Sequence, residues 1–184
     1  MNRNCLLRPA TLDDSFLIFE WRNQDRVRNM MFNKDKIAWD DHRSRFNLAL
    51  RAEQHMFFVF ECSSKPVGIV QFSQFDGENR RCHWGYYMGF DPAPENAAKQ
   101  MAFCACEHIF ETLLYERLVA DVLDFNERSQ RYLRGCGFSC DGILRHEIRG
   151  QGVWHDVHRF SILRAEWLAQ KAAFGERIGI DADR

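Results

Sequence analysis

Leu118–Phe138, LVADVLDFNERSQRYLRGCGF, is the stretch on which the reading of the fold turns. Leu118-Val119-Ala120-Asp121-Val122-Leu123 has strand composition and breaks off at Asp124-Phe125-Asn126. A charged helix follows, and Gly135 and Gly137 stop it before Phe138 opens a new strand. Asp121 is out of place among apolar strand neighbours unless it has a partner or a task.

The rest of the chain sets the frame for that passage. With 184 residues, 46% of them hydrophobic and sixteen of them Phe, it has enough apolar chain for one domain with a full core, which excludes disorder. A formal net charge of -1 gives no electrostatic pull toward nucleic acid. No apolar run approaches the roughly 18 residues of a membrane span. The N-terminus MNRNCLLRPA lacks a signal-peptide core, so a cytoplasmic protein without a membrane partner is expected. Seven Cys without an export signal imply a reducing compartment and free thiols. Cys104-x-Cys106 and Cys136-x3-Cys140 do not form the paired spacing of a zinc site, and no metal is expected.

Working outward, Cys5–Arg8 reads as an entry strand, and Leu12, Phe16 and Phe19 as a helix to about Trp21 behind a Thr11 cap. Trp39, Phe46 and Leu50 mark a second amphipathic helix. From His55 the period changes to that of strands. HMFFVFE, Val67–Phe75 and Cys82–Phe90 form an antiparallel meander, with turns at Ser63–Pro66 and Asp76–Asn79. Glu95–Leu114 reads as a long helix, and Phe138–Ile148 with Val153–Leu163 as a hairpin around Arg149–Gly152. A short helix, Ala165–Phe174, closes a single domain over 1–174, and 175–184 is expected to be a flexible tail. The class is α/β (α+β), a mixed central sheet flanked by helices.

This order, with the strand-Asn-helix-Gly-Phe passage, resembles the Gcn5-related N-acetyltransferase (GNAT) family. The resemblance implies a splayed strand pair with acetyl-coenzyme A in the gap and Asn126, Ser129 and Tyr132 along the cofactor arm. It also implies that the start of the long helix, Asn96-Ala97-Ala98-Lys99-Gln100, cradles the pyrophosphate on backbone amides. The family usually carries spaced glycines there, and this sequence has none. Tyr87, Met88 and Gly89, late in the third meander strand, match the segment whose amide holds the thioester oxygen, with Met88 nearest it. Leu133 stands where many members carry a thiolate-protonating tyrosine, and Tyr132 is rotated from it by about 100 degrees.

Asp121 is the candidate base, because an apolar wall would raise its pKa toward the useful range. The N-terminal third, with Trp21-Arg22-Asn23, Trp39 and His42, resembles the branch acetylating a UDP-linked 4-amino-4,6-dideoxy sugar in pseudaminic acid synthesis for flagellin glycosylation. That implies a nucleotide-sugar acceptor contacted by Arg22, Asn23, His42, His83 and Tyr87, with Phe32 and Trp39 as apolar faces. A homodimer is open to such a chain. The ribosomal-protein or peptide N-terminal acetyltransferases, sharing the Asn126, Ser129, Leu133 pattern, and a non-catalytic module of the same fold are the alternatives.

Overall fold

The computed structural model describes residues 4–180. One seven-stranded sheet runs through it in the order β1-β2-β3-β4-β5-β7-β6. The strands are β1 (Cys5–Pro9), β2 (His55–Cys62), β3 (Lys65–Asp76), β4 (Arg81–Met88), β5 (Arg117–Leu123), β6 (Ser139–Gly150) and β7 (Val153–Leu163). All neighbours are antiparallel except β4 and β5. The expected meander and hairpin are present.

Period two along the strands sorts the sheet into two faces. One carries Phe60, Phe72, Trp84, Leu118, Ala120, Phe160 and Ile162, all buried. It is covered by α4 (Ala97–Glu107), its π-turn extension His108–Thr112, and α6 (Arg164–Ile178). This is the main core. The other face is half apolar. There Ile69, Phe57 and Tyr87 pack under Ile18 of α1 (Ser15–Asn23) and Phe46 of α3 (Trp39–Arg51). Arg8 ties that layer to the sheet by gripping Asp14 at 2.8 and 2.9 Å and Glu61 at 2.9 Å. A four-residue helix, α2 (Asp25–Arg28), follows α1 and is too short to carry a periodic signal.

Two expectations need correction. Segment 175–180 is not a loose tail: α6 continues to Ile178, Gly179 caps it in the left-handed region, and Ile178 and Ile180 are buried. Residues 181–184 lie outside the described residues. Nor are all thiols free. The register sets Cys5 against Cys62 with Cα atoms 4.2 Å apart, and the two form a disulfide.

The two sheet edges differ. β1 is five residues long and ends in Pro9. β6 is twelve residues long and largely exposed, with register shifts at Cys140/Gly142 and Leu144/Ile148 and a left-handed His146.

Candidate active site

The only parallel pairing among the described residues, β4 with β5, lasts three residues. Arg81, Cys82 and His83 meet Arg117, Leu118 and Val119, and the strands then part. Trp84–Met88 therefore form one wall of a gap and Ala120–Leu123 the other. Helix α5 (Glu127–Gly135) follows the second wall, as the opening motif required.

Amide direction in the first wall follows from the ladder. The Gly89 N–H donates to the Val67 carbonyl at 2.9 Å, in register with Ile69↔Tyr87 and Gln71↔Gly85. Alternation then turns the amides of Tyr86 and Met88 toward the gap. Met88 thus presents a fixed N–H to the gap. Gly89 does not: its amide is spent on Val67, and its Cα lies against Trp21 so closely that a Cβ would stand 1.9 Å from the indole. Gly89 is a packing residue, a correction to its cofactor role.

At the gap mouth α4 begins without a glycine, and Asn96 explains how. It takes φ 58°, ψ -2°, the left-handed conformation that Asn tolerates better than other side chains. The N–H of Ala97 bonds Pro94 and that of Gln100 bonds Asn96, while Ala98 and Lys99 occupy first-turn positions whose amides have no intrahelical acceptor. The exposed Lys99 adds a positive charge beside them. Gln100 is not a phosphate contact. Its Nε2 donates to Ile178 O at 3.0 Å, and its Oε1 lies 3.2 Å from the Cys5 Sγ.

Trp84 Nε1 lies in the core face, buried without a hydrogen-bond partner among the described residues. The Met88 amide and the α4 amides suit a ligand of amide carbonyls and phosphates, so the residues fit coenzyme A. Asn126 caps α5, its Oδ1 accepting the Ser129 N–H at 3.1 Å. Tyr132 packs into the core and donates its hydroxyl to Ala98 O at 2.6 Å, locking α5 to the α4 start. Burial pushes that phenol well up, and Leu133 is wholly buried. Both are packed into the core, and the bond to Ala98 makes Tyr132 a strut between α4 and α5, a correction to its place along the cofactor arm.

On the opposite face lies a groove. Above Gly85 an added Cβ would meet only Gln71, at 4.0 Å, so the floor is open. His55, Gln71 and His83 line it on the same face, and it runs into a cavity of about 420 Å³ lined in part by Gln54, Gln74, His83 and Arg159. Asp121 lies on this face too, but both its oxygens accept from Arg159, each at 2.8 Å. The other neighbour is His83, its Nδ1 3.6 Å from Asp121 Oδ2. Burial lowers the His83 pKa, so its imidazole is neutral near pH 7. The expected lone carboxylate is instead the middle of a histidine–aspartate–arginine row. Arg159 and its partnership could not be found in a linear motif, since the pair spans 38 positions.

Arg22 stands at the upper end. Its Nη2 donates to Asn33 O at 2.6 Å, and its Nη1 is buried without a partner. No carboxylate pairs with it among the described residues, Tyr87 is within electrostatic reach, and burial lowers its pKa. Asn23 does not reach acceptor space. Its side-chain amide makes two 2.9 Å bonds to Ile37, closing the α2–α3 loop. His42 is a core histidine: Nε2 bonds Ser15 O at 3.0 Å, and the ring stacks on Phe46 and Trp39. Trp39 is held by Phe16 and Phe19 rather than open to a base. Phe32 does border open space, a cavity of about 200 Å³ shared with Lys34 and Arg149. Among the described residues no cluster of three or more His, Cys, Asp or Glu could hold a metal, and no helix is long and apolar enough to cross a membrane.

A sheet pried open between two parallel strands, with amides at one side and a polar groove behind, defines an acyl-coenzyme A transferase. The chain belongs to the acetyltransferase (GNAT) domain family, whose model matches residues 4–139. It is an acetyl-CoA-dependent N-acetyltransferase, which sets aside the non-catalytic module. Spermidine N(1)-acetyltransferase of Escherichia coli K12 is 23% identical over 94% of this chain and 92% of its own. The uncharacterized N-acetyltransferase YokL of Bacillus subtilis is 26% identical over 89% and 92%. The Vibrio cholerae spermidine N-acetyltransferase in complex with CoA and spermine superposes with a TM-score of 0.83, at 21% identity, over 91% of this chain and 99% of its own. None of these names a sugar acceptor.

Proposed function

We propose that the acceptor amine belongs to a molecule carrying an anionic group, and that this acceptor is a UDP-linked 4-amino-4,6-dideoxy sugar. The supporting observation is Arg22, half-buried beside Tyr87 with no carboxylate answering it among the described residues. A desolvated guanidinium in a substrate groove favours a phosphate or carboxylate ligand. Lys34 and Arg149 border the neighbouring cavity with Phe32 and the carboxylate of Asp35, and two cations against one anion beside an aromatic ring suit a diphosphate and a nucleobase.

The groove's carboxylates weigh against a polyamine. Asp121 is matched by Arg159, and Asp76 by Arg81 at 3.1 Å. What remains along the floor is amide and imidazole, suited to hydroxyls rather than to ammonium groups. The spermidine activity named for relatives is the second reading, since they align over nearly the whole chain.

In this reading the Met88 amide holds the thioester oxygen and the neutral His83 takes the ammonium proton of the acceptor. Asp121 is a positioning residue that orients the imidazole and is itself held by Arg159. Parallel turnover assays with the UDP-amino sugar, spermidine and an N-terminal peptide test the acceptor. Preference for the sugar is expected. Robust turnover of spermidine or the peptide, with none of the sugar, would overturn the reading.

A further inference from the structure

The end of β4 is gripped from the acceptor side. Arg26 of α2 donates Nη1 to Met88 O at 3.0 Å and Nη2 to Gly89 O at 2.7 Å. Gln24 Nε2 also reaches Gly89 O, at 3.5 Å, and the Trp21 indole fills the space a side chain at residue 89 would need. The two carbonyls belong to the peptide planes that directly follow the Met88 amide. A planar guanidinium bonded to both fixes their mutual orientation, which a single donor cannot do. The helix has four residues and buries Val27, Arg28 donates Nη1 to Lys34 O at 2.9 Å, and Arg26 Nε also stands 4.0 Å from the Asp91 carboxylate.

We infer that Arg26 is a positioning residue that aims the Met88 N–H into the gap, so that the helices recognising the acceptor also set the donor that polarises the thioester. This rests on the reading of the Met88 amide as the thioester donor. The clip is built from side chain to main chain across 62 positions, and its geometry is independent of which amine is acetylated. Oxyanion donors act through fixed placement, so a small rotation of the strand end weakens the bond without emptying the pyrophosphate site.

Calorimetric binding of acetyl-CoA and of CoA to wild type, Arg26→Ala and Arg26→Lys tests the assignment without an acceptor. Wild type is expected to bind acetyl-CoA several-fold more tightly than CoA, because only the thioester carries the carbonyl. In Arg26→Ala that preference should fall toward one while the CoA affinity stays within about twofold, and Arg26→Lys should lie between, since an ammonium donates but cannot span both carbonyls in a plane. Retention of the full preference in Arg26→Ala overturns the role of Arg26. Absence of any preference in wild type overturns the Met88 reading, and the inference with it. If Arg26→Ala does not fold, Arg26→Gln, with one side-chain amide, carries the same comparison.

Discussion

The cofactor half and the acceptor half of this molecule are built from different materials. Around the gap the groups proposed to hold the cofactor are main chain: the Met88 amide, the first amides of α4 and the left-handed turn at Asn96. In the groove they are side chains, Arg22, His83, Asp121 and Arg159, each fixed by contacts from other elements. Main-chain sites survive extensive substitution because any residue supplies an amide, provided the backbone angles are kept. Side-chain sites do not. That difference allows a fold to be kept by relatives at 21% to 26% identity.

The sharpest way to break the contrast is at His83. His83→Gln keeps hydrogen bonding but removes the base, and kcat should fall by roughly 10²–10⁴ with loss of the acidic limb of its pH profile. That limb should lie below the ordinary histidine value of 6.5, because burial favours the neutral ring. Asp121→Asn, leaving the imidazole in place, should retain the limb and lose less rate. A larger loss in Asp121→Asn than in His83→Gln would return the base to the carboxylate.

Next in size is Arg22→Ala. Loss of a charge-assisted contact remote from the reacting amine should raise the acceptor KM by about tenfold or more and leave kcat nearly unchanged. An unchanged KM would remove Arg22 from the acceptor site. On the cofactor side, Lys99→Glu should weaken coenzyme A by roughly three- to tenfold, a modest effect because the side chain is exposed and screened. Equal affinity would place the phosphates elsewhere.

Smaller still is the turn itself. Asn96→Gly should leave stability and coenzyme A affinity near wild type, whereas Asn96→Ala should cost about 1 kcal/mol at a left-handed position. Thermal melts with and without acetyl-CoA distinguish the two. The least effect is expected from pH. Burial lowers the pKa of His42, His83 and His108 in the folded chain, so the unfolded chain takes up protons first as pH falls. Tm should therefore be level above about pH 6.5 and decline below it. For His42, a His42→Phe variant should show a shallower decline.

Legibility in the sequence divides along the same line. The succession of strands and helices and the helix after Asn126 are readable because they depend on local periodicity and turn chemistry, whereas the splayed pair is implied by the family resemblance and its start after His83 is shown by the register. The start of α4 does without glycine because Asn96 takes φ 58°, a property of one residue that composition does not announce. His42 looked like a ligand from its place at a helix start, yet the aromatic stack that buries it comes from Phe19 and Phe46. The family resemblance implies that Gln100 and Tyr132 lie along the cofactor, but their polar atoms meet Ile178 and Ala98, 78 and 34 positions away. Arg26 and Arg159 were invisible for the same reason.

The unequal sheet edges bear on how this protein behaves at high concentration. A long exposed strand such as β6 is a template onto which another molecule's strand can add, and repeated addition makes fibres. Its two register shifts and the left-handed His146 break the straight ladder such addition needs, while β1 offers five residues and a proline. Excising the extra residues to straighten β6 should leave the acetyl-CoA gap intact and lower the concentration at which the protein comes out of solution.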